Sequence, residues 1–247
     1  MQFVNLQAQF KAYEGEIRTQ MEDVLQSARF ILGPKGEELE KRLSEFTGSK
    51  HAFGCSSGTD ALLLALMALE IRPRDEVITT PFTFIATAEA ISLLGAVPVF
   101  VDIEPSTYNI DPRKITAAIT DRTRAIVAVS LFGQCAPMEE IFAACGGRDI
   151  FVIEDACQSL GASRSGRMSC DFPSIGVTSF FPSKPLGCYG DGGMIFTSED
   201  AVADRIKGLR NHGQWERYLH RAIGINGRLD EIQAAVLLAK LPHFNEE

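Results

Sequence analysis

The sequence predicts an α/β protein: a mostly parallel seven-stranded sheet with helices on both faces. Three observations predict it. Apolar, β-branched runs recur at 76–80, 97–102, 125–132, 150–155, 175–181 and 193–197, with a weaker seventh at 51–55. Most are apolar throughout rather than alternating, as strands covered on both faces are. Helical patterns lie between the early runs, at 58–70, 83–95, 111–119 and 137–146, and such alternation builds a largely parallel sheet with helical layers.

Two further helices precede the sheet, around 14–29 and 35–47, separated by Gly33-Pro34, a pair that breaks a helix. After the last strand, "SEDAVADRIKGLRNHG" reads as a helix with Ser198 as N-cap and acidic residues in its first turn. "RLDEIQAAVLLAKL" (228–241) reads as another. No internal repeat or linker divides the 247 residues, so 1–48 (helices) and 49–247 (sheet core and following helices) form one large domain.

Hydrophobic residues make up 45% and charged residues 23%, with a net charge of −8. That balance argues against nucleic-acid backbone binding as the main activity. No apolar run approaches the roughly 18 residues of a membrane span, and "MQFVNLQAQF" lacks the pattern of a signal peptide. Six cysteines without a Cys-x-x-Cys pair, beside four histidines, predict no metal site and a reduced, cytoplasmic protein.

Four features share one topological address, the carboxyl ends of strands, where open parallel sheets collect ligands. Lys184 follows an apolar run by a few residues and is fenced by Pro182 and Pro185. It is either a surface-loop lysine or an amine held among apolar groups and pushed toward the neutral form that attacks a carbonyl. Asp155 ends the apolar run "FVIED". It either caps a following helix or pairs with a cation, and a Lys Schiff base with an Asp facing a pyridinium nitrogen is the pattern of pyridoxal phosphate enzymes. "CSSGTDALLLAL" leads from a strand into a helix whose first-turn N–H groups, with the Ser56, Ser57 and Thr59 hydroxyls, suit a phosphate. The alternative is a capped structural helix. Phe84, just past a strand end, is either core or a ring that stacks on a planar cofactor.

The segments "GTDAL", "PFTFIATAEAI", "VPVFVDI", "VIEDACQSLGA", "TSFFPSKPLGCYGDGGMI", "RNHGQ" and "GINGRLDEIQAAVL" together resemble the DegT/DnrJ/EryC1/StrS sugar aminotransferases, over essentially the whole chain and in the right order. The resemblance implies the aspartate aminotransferase fold, fold type I of the pyridoxal 5′-phosphate enzymes. It implies that Lys184 forms the Schiff base, Asp155 pairs with the ring nitrogen and Gln158 lies near the phenolic oxygen. Gly58, Thr59 and Ser179 would hold the phosphate, and Phe84 would stack on the ring. A loop of the partner subunit would complete the site, Asn226 reaching the phosphate and Arg228 the substrate, in a homodimer with shared active sites.

The implied reaction moves an amino group, with L-glutamate as donor, to a nucleotide-linked ketosugar for polysaccharide, O-antigen or amino-sugar synthesis. Lysine at 184 favours transamination, because a related branch of sugar dehydratases has histidine there. The family's small C-terminal domain is expected to be absent from these 247 residues. The alternative reading is therefore a truncated, catalytically silent cofactor- or nucleotide-sugar-binding protein. A Rossmann dehydrogenase ranks below both, as no Gly-x-Gly-x-x-Gly follows the first strand.

Overall fold

The computed structural model describes residues 4–171 and 173–245. In chain order it runs α1 (Leu6–Ser27), α2 (Pro34–Thr47), β1 (His51–Cys55), α3 (Gly58–Ala68), β2 (Glu76–Thr79), α4 (Ala86–Leu93), β3 (Val97–Phe100), α5 (Pro112–Ala118), β4 (Thr123–Val129), α6 (Met138–Cys145) and β5 (Phe151–Asp155). A small hairpin follows, β6 (Ser163–Arg164) and β7 (Arg167–Met168), then β8 (Ile175–Ser179), β9 (Gly193–Thr197) and α7 (Asp200–Leu209). A second hairpin, β10 (Gln214–Glu216) and β11 (Leu219–His220), leads to α8 (Glu231–Lys240).

Seven strands form one sheet in the order β1-β9-β8-β5-β4-β2-β3. Pairings from β8 through β3 are parallel, whereas β9 runs antiparallel to both β8 and β1. The seven expected strands are all present. Three end two or more residues early: the runs to 102, 132 and 181 leave the ladder after Phe100, Val129 and Ser179. Phe180 then turns into the core while Phe181 stays half exposed.

Alternate residues of the central strands go to opposite layers, as a period of two requires. Val77, Val127 and Ile153 pack with Leu62, Leu66, Ala90 and Ile91 of α3 and α4. Ile78, Ile126 and Val152 pack with Ile115 of α5 and Met138 and Ile141 of α6. Toward β1 and β9, Ala52, Met194 and Phe196 bury against Leu39 and Leu43 of α2 and Leu237 and Leu238 of α8. Helix α1 then covers α8 through Ile17, Val236 and Ala239.

Two helix starts differ from the sequence reading. Helix α1 begins at Leu6 rather than near 14, because the Asn5 side chain accepts the Ala8 N–H at 3.1 Å and caps it. Helix α7 has Glu199 at its N-cap, not Ser198, whose hydroxyl instead accepts the Lys50 N–H at 3.2 Å and ties α7 to β1. Among the described residues no helix is long and apolar enough to cross a membrane.

Candidate active site

The ends of β2, β4, β5 and β8 and the start of α3 enclose a cleft of 480 Å³, within the ~300–1,000 Å³ range of small-molecule sites. Its walls include Gly58, Thr59, Phe84, Asp155, Gln158, Ser179 and Lys184. Seven of the nine residues to which the family resemblance gives a role thus meet in one place.

Asp155 sits at the last rung of β5 with 5% of its surface exposed. Its Oδ2 accepts the Thr87 hydroxyl at 2.9 Å and its Oδ1 accepts the Cys157 N–H at 3.2 Å. No helix follows β5. The chain makes a turn over 157–161, so the helix-capping alternative for Asp155 is replaced by this local turn contact. No cation forms an ion pair with Asp155 among the described residues, and a buried carboxylate without one is costly.

Lys184 lies in the loop joining β8 to β9, which turns back on itself through the Lys184 N–H to Phe181 carbonyl bond at 2.8 Å. Its ammonium is half buried and has no side-chain hydrogen bond among the described residues. Cys157, on the same wall, feels both groups. Burial above all, reinforced by Asp155, pushes its thiol well above the ordinary range, with Lys184 pulling weakly the other way. Cys157 therefore stays a protonated thiol.

At the phosphate end, Ser57 caps α3 by accepting the Asp60 N–H at 3.0 Å. The Ser56 and Ser57 hydroxyls both donate to Asp60 Oδ2, at 2.5 and 3.1 Å. Those two hydroxyls, expected to face a phosphate, are thus committed to the helix itself. The Gly58 and Thr59 N–H groups and the Thr59 hydroxyl have no partner among the described residues. Gly58 abuts the end of β8: a Cβ there would stand 2.6 Å from Ser179 Cβ. Only glycine lets the first turn of α3 come this close to Ser179.

Phe84 is 71% exposed on the cleft wall, so the core alternative for it does not hold. Gln158 accepts the Phe132 N–H through Oε1 at 3.0 Å, leaving its Nε2 donors toward the cleft.

Asn226 and Arg228 do not line this cleft. Asn226 is exposed and bridges Asn211. Arg228 donates through Nη1 to Asn211 Oδ1 at 2.8 Å, and its Nε is buried without a partner among the described residues. Arg210 and Tyr189 also lie outside the cleft. Arg210 is a buried strut that pairs with Glu40 and donates to the Gly54 carbonyl, and Tyr189 packs beneath the Lys184 loop against α8.

A lysine, a buried carboxylate with no counter-ion among the described residues and a helix N-terminus surround one cleft. Residues 11–247 fit the model of the DegT/DnrJ/EryC1/StrS aminotransferase family. This chain belongs to that family. Among its relatives, a UDP-2-acetamido-2-deoxy-3-oxo-D-glucuronate aminotransferase of Pseudomonas aeruginosa is 52% identical, over all of this chain and 69% of the relative. A solved DegT/DnrJ/EryC1/StrS aminotransferase from Brucella abortus superposes with a TM-score of 0.97 at 44% identity, covering 100% of this chain and 68% of that one. The NtdA protein of Bacillus subtilis, solved with bound cofactor PMP, gives a TM-score of 0.89 at 34% identity, covering 95% of this chain and 54% of its own. The chain thus spans between about half and just over two thirds of the length of these relatives.

Proposed function

We propose that this chain carries the cofactor-binding part of a pyridoxal-phosphate-dependent aminotransferase that places an amino group on the keto carbon of a nucleotide-linked sugar, with an amino acid such as L-glutamate as donor. The observation that carries the reading is the shared cleft of Lys184 and Asp155. The residues present fit the cofactor. Asp155 is a buried carboxylate without a cation, the Gly58 and Thr59 N–H groups await an anion beside Ser179, and exposed Phe84 offers an apolar face.

When bound, pyridoxal phosphate supplies an aldehyde that condenses with amines and a ring that draws electrons from the carbon beside them. The residues divide the remaining work. Gly58, Thr59 and Ser179 hold the phosphate at the α3 N-terminus, where the helix dipole favours negative charge. Asp155 would hydrogen-bond to the ring nitrogen and favour its protonated form. Phe84 would cover one ring face and exclude water from it, and the Gln158 amide would donate to the phenolic oxygen. Lys184 would take the proton from the donor Cα as general base and deliver it as general acid. The sugar half-reaction uses the same groups in reverse order. The substrate class rests on the name of the Pseudomonas aeruginosa relative.

We further propose a homodimer in which the site is completed across the interface by Asn226 and Arg228. What supports this is the position of both residues outside their own chain's cleft, together with the unpartnered buried Arg228 Nε. An orphaned donor of this kind costs ~1–3 kcal/mol unless something accepts from it.

The test is to add pyridoxal phosphate, glutamate and a panel of UDP- and dTDP-ketosugars and follow 2-oxoglutarate. The wild type should take up the cofactor with a visible absorbance band, which Lys184→Ala should lose together with turnover. A protein that stays colourless, or a Lys184→Ala variant with wild-type turnover, sinks the reading. For the shared site, mixing Lys184→Ala with Arg228→Ala subunits should restore activity that neither variant has alone. No restoration in mixed dimers would overturn the exchange of residues.

A further inference from the structure

We propose that Gln233 and Lys240 of α8 are positioning residues for Lys184: they clamp the far side of its loop and so fix where the amine points. This rests on the cofactor reading above. The loop between Ser179 and Gly193 carries Lys184 at its exposed turn and Gly187, Cys188 and Tyr189 on its inner side. Gln233 grips Tyr189 by both main-chain groups. Its Oε1 accepts the Tyr189 N–H at 2.9 Å and its Nε2 donates to the Tyr189 carbonyl at 3.3 Å. One residue on, Gly190 leaves room for that amide, since a Cβ there would stand 2.9 Å from Nε2.

Lys240 reaches the same loop from the other end of α8. It is 3% exposed, its ammonium donates to the Gly187 carbonyl, and it lies 4.8 Å from the Tyr189 ring centroid. An interior ammonium is costly unless its donors are satisfied, so this contact fixes the carbonyl firmly. Gly187 passes that restraint on. A Cβ at 187 would stand 2.4 Å from the Pro182 carbonyl oxygen and 2.9 Å from that of Phe181, so Gly187 lies directly against the segment that leads into Lys184. Cys188 closes the base of the loop by donating its N–H to Phe180 at 2.8 Å.

Helix α8 is itself rigidly held. Its first residue, Glu231, accepts the Gly33, Lys35 and Gly36 N–H groups at 2.8–2.9 Å. Ala234, Leu237 and Leu238 pack against Phe180, Leu186 and Cys188, the buried side of the loop. The lysine is thus oriented by a helix more than forty residues downstream, although no α8 residue lines the cleft.

The experiment compares wild type with Gln233→Ala, Gln233→Glu and Lys240→Met. Hydrogen exchange of the loop amides, read in the cofactor-free protein, should quicken about tenfold at 187–190 in Gln233→Ala, with strand amides of β4 and β5 unchanged. Gln233→Glu keeps the acceptor for the Tyr189 N–H and should recover most of that protection. In the second measurement, pyridoxal phosphate should build its visible band with about tenfold lower apparent affinity in Gln233→Ala and Lys240→Met. Pyridoxamine phosphate, which has no aldehyde for Lys184, should bind all variants alike. Unchanged loop exchange in Gln233→Ala overturns the clamp, as does an equal loss of affinity for both cofactor forms, which would mark a general structural role. A wild type that binds neither form fails the cofactor reading instead, and the exchange data still decide the clamp.

Discussion

Thr87 on α4 donates its hydroxyl hydrogen to Asp155 Oδ2 at 2.9 Å, and both residues are buried. With the Cys157 N–H on the other oxygen, this bond sets the plane of the carboxylate at the cleft floor. Thr87→Val keeps the shape of the side chain and removes the donor. Turnover should fall about tenfold, the equivalent of ~1.4 kcal/mol, while cofactor content changes little. Steady-state rates alongside absorbance titration check this, and an unchanged kcat would remove Thr87 from the site's support.

Gly58→Ala should weaken cofactor binding through the phosphate end. The added Cβ would meet Ser179 Cβ at 2.6 Å, so the first turn of α3 must back away from β8. Overpacking of this kind costs ~1–3 kcal/mol. We expect lower thermal stability and a weaker cofactor Kd, with affinity for inorganic phosphate falling in parallel. A normal Kd would place the phosphate elsewhere.

Glu154 points away from the cleft, into the opposite layer. Burial above all holds its carboxyl above the ordinary range, against hydrogen bonds from the Ser130 hydroxyl, the Cys170 N–H and the Ser169 hydroxyl. The folded protein therefore binds this proton more tightly than the unfolded chain does. Its contribution is fully present below the unfolded value of ~4.3 and is lost as pH rises through the raised folded value. Glu154→Gln abolishes that loss. The Tm of the variant should gain on wild type as pH rises above the unfolded value, and a difference that stays constant over that rise contradicts the assignment.

Glu231 is 1% exposed and gathers three N–H groups from the start of α2. Glu231→Leu leaves those donors buried and unpaired, so stability should drop by about 3–5 kcal/mol, read as a lower urea midpoint. A loss under about 1 kcal/mol would mean that the three donors find other partners.

Much of this was legible along the chain, and the reason is locality. Uninterrupted apolar runs such as 150–155 announce strands buried on both faces. Lys184 and Asp155 stand out because they lie at or just beyond strand ends, and strand ends of a parallel sheet converge. The misses are contacts made across the fold. Nothing near Glu231 in the sequence says that its partners are Gly33 to Gly36, and nothing near Gln233 names Tyr189. Ser56 and Ser57 looked free for a ligand because a linear reading does not show Asp60 turning back on both hydroxyls. Asn226 and Arg228 came only from family resemblance, and their distance from the cleft gives them no local signature.

The antiparallel return of β9 beside β8, with Ser179 opposite Gly193, makes the segment bearing Lys184 a hairpin connection between neighbouring strands rather than a crossover spanning the sheet. Insertions or exchanges at its tip can alter what the amine meets without rethreading any helix. Chemistry at this position is therefore free to diversify while the scaffold beneath it stays the same.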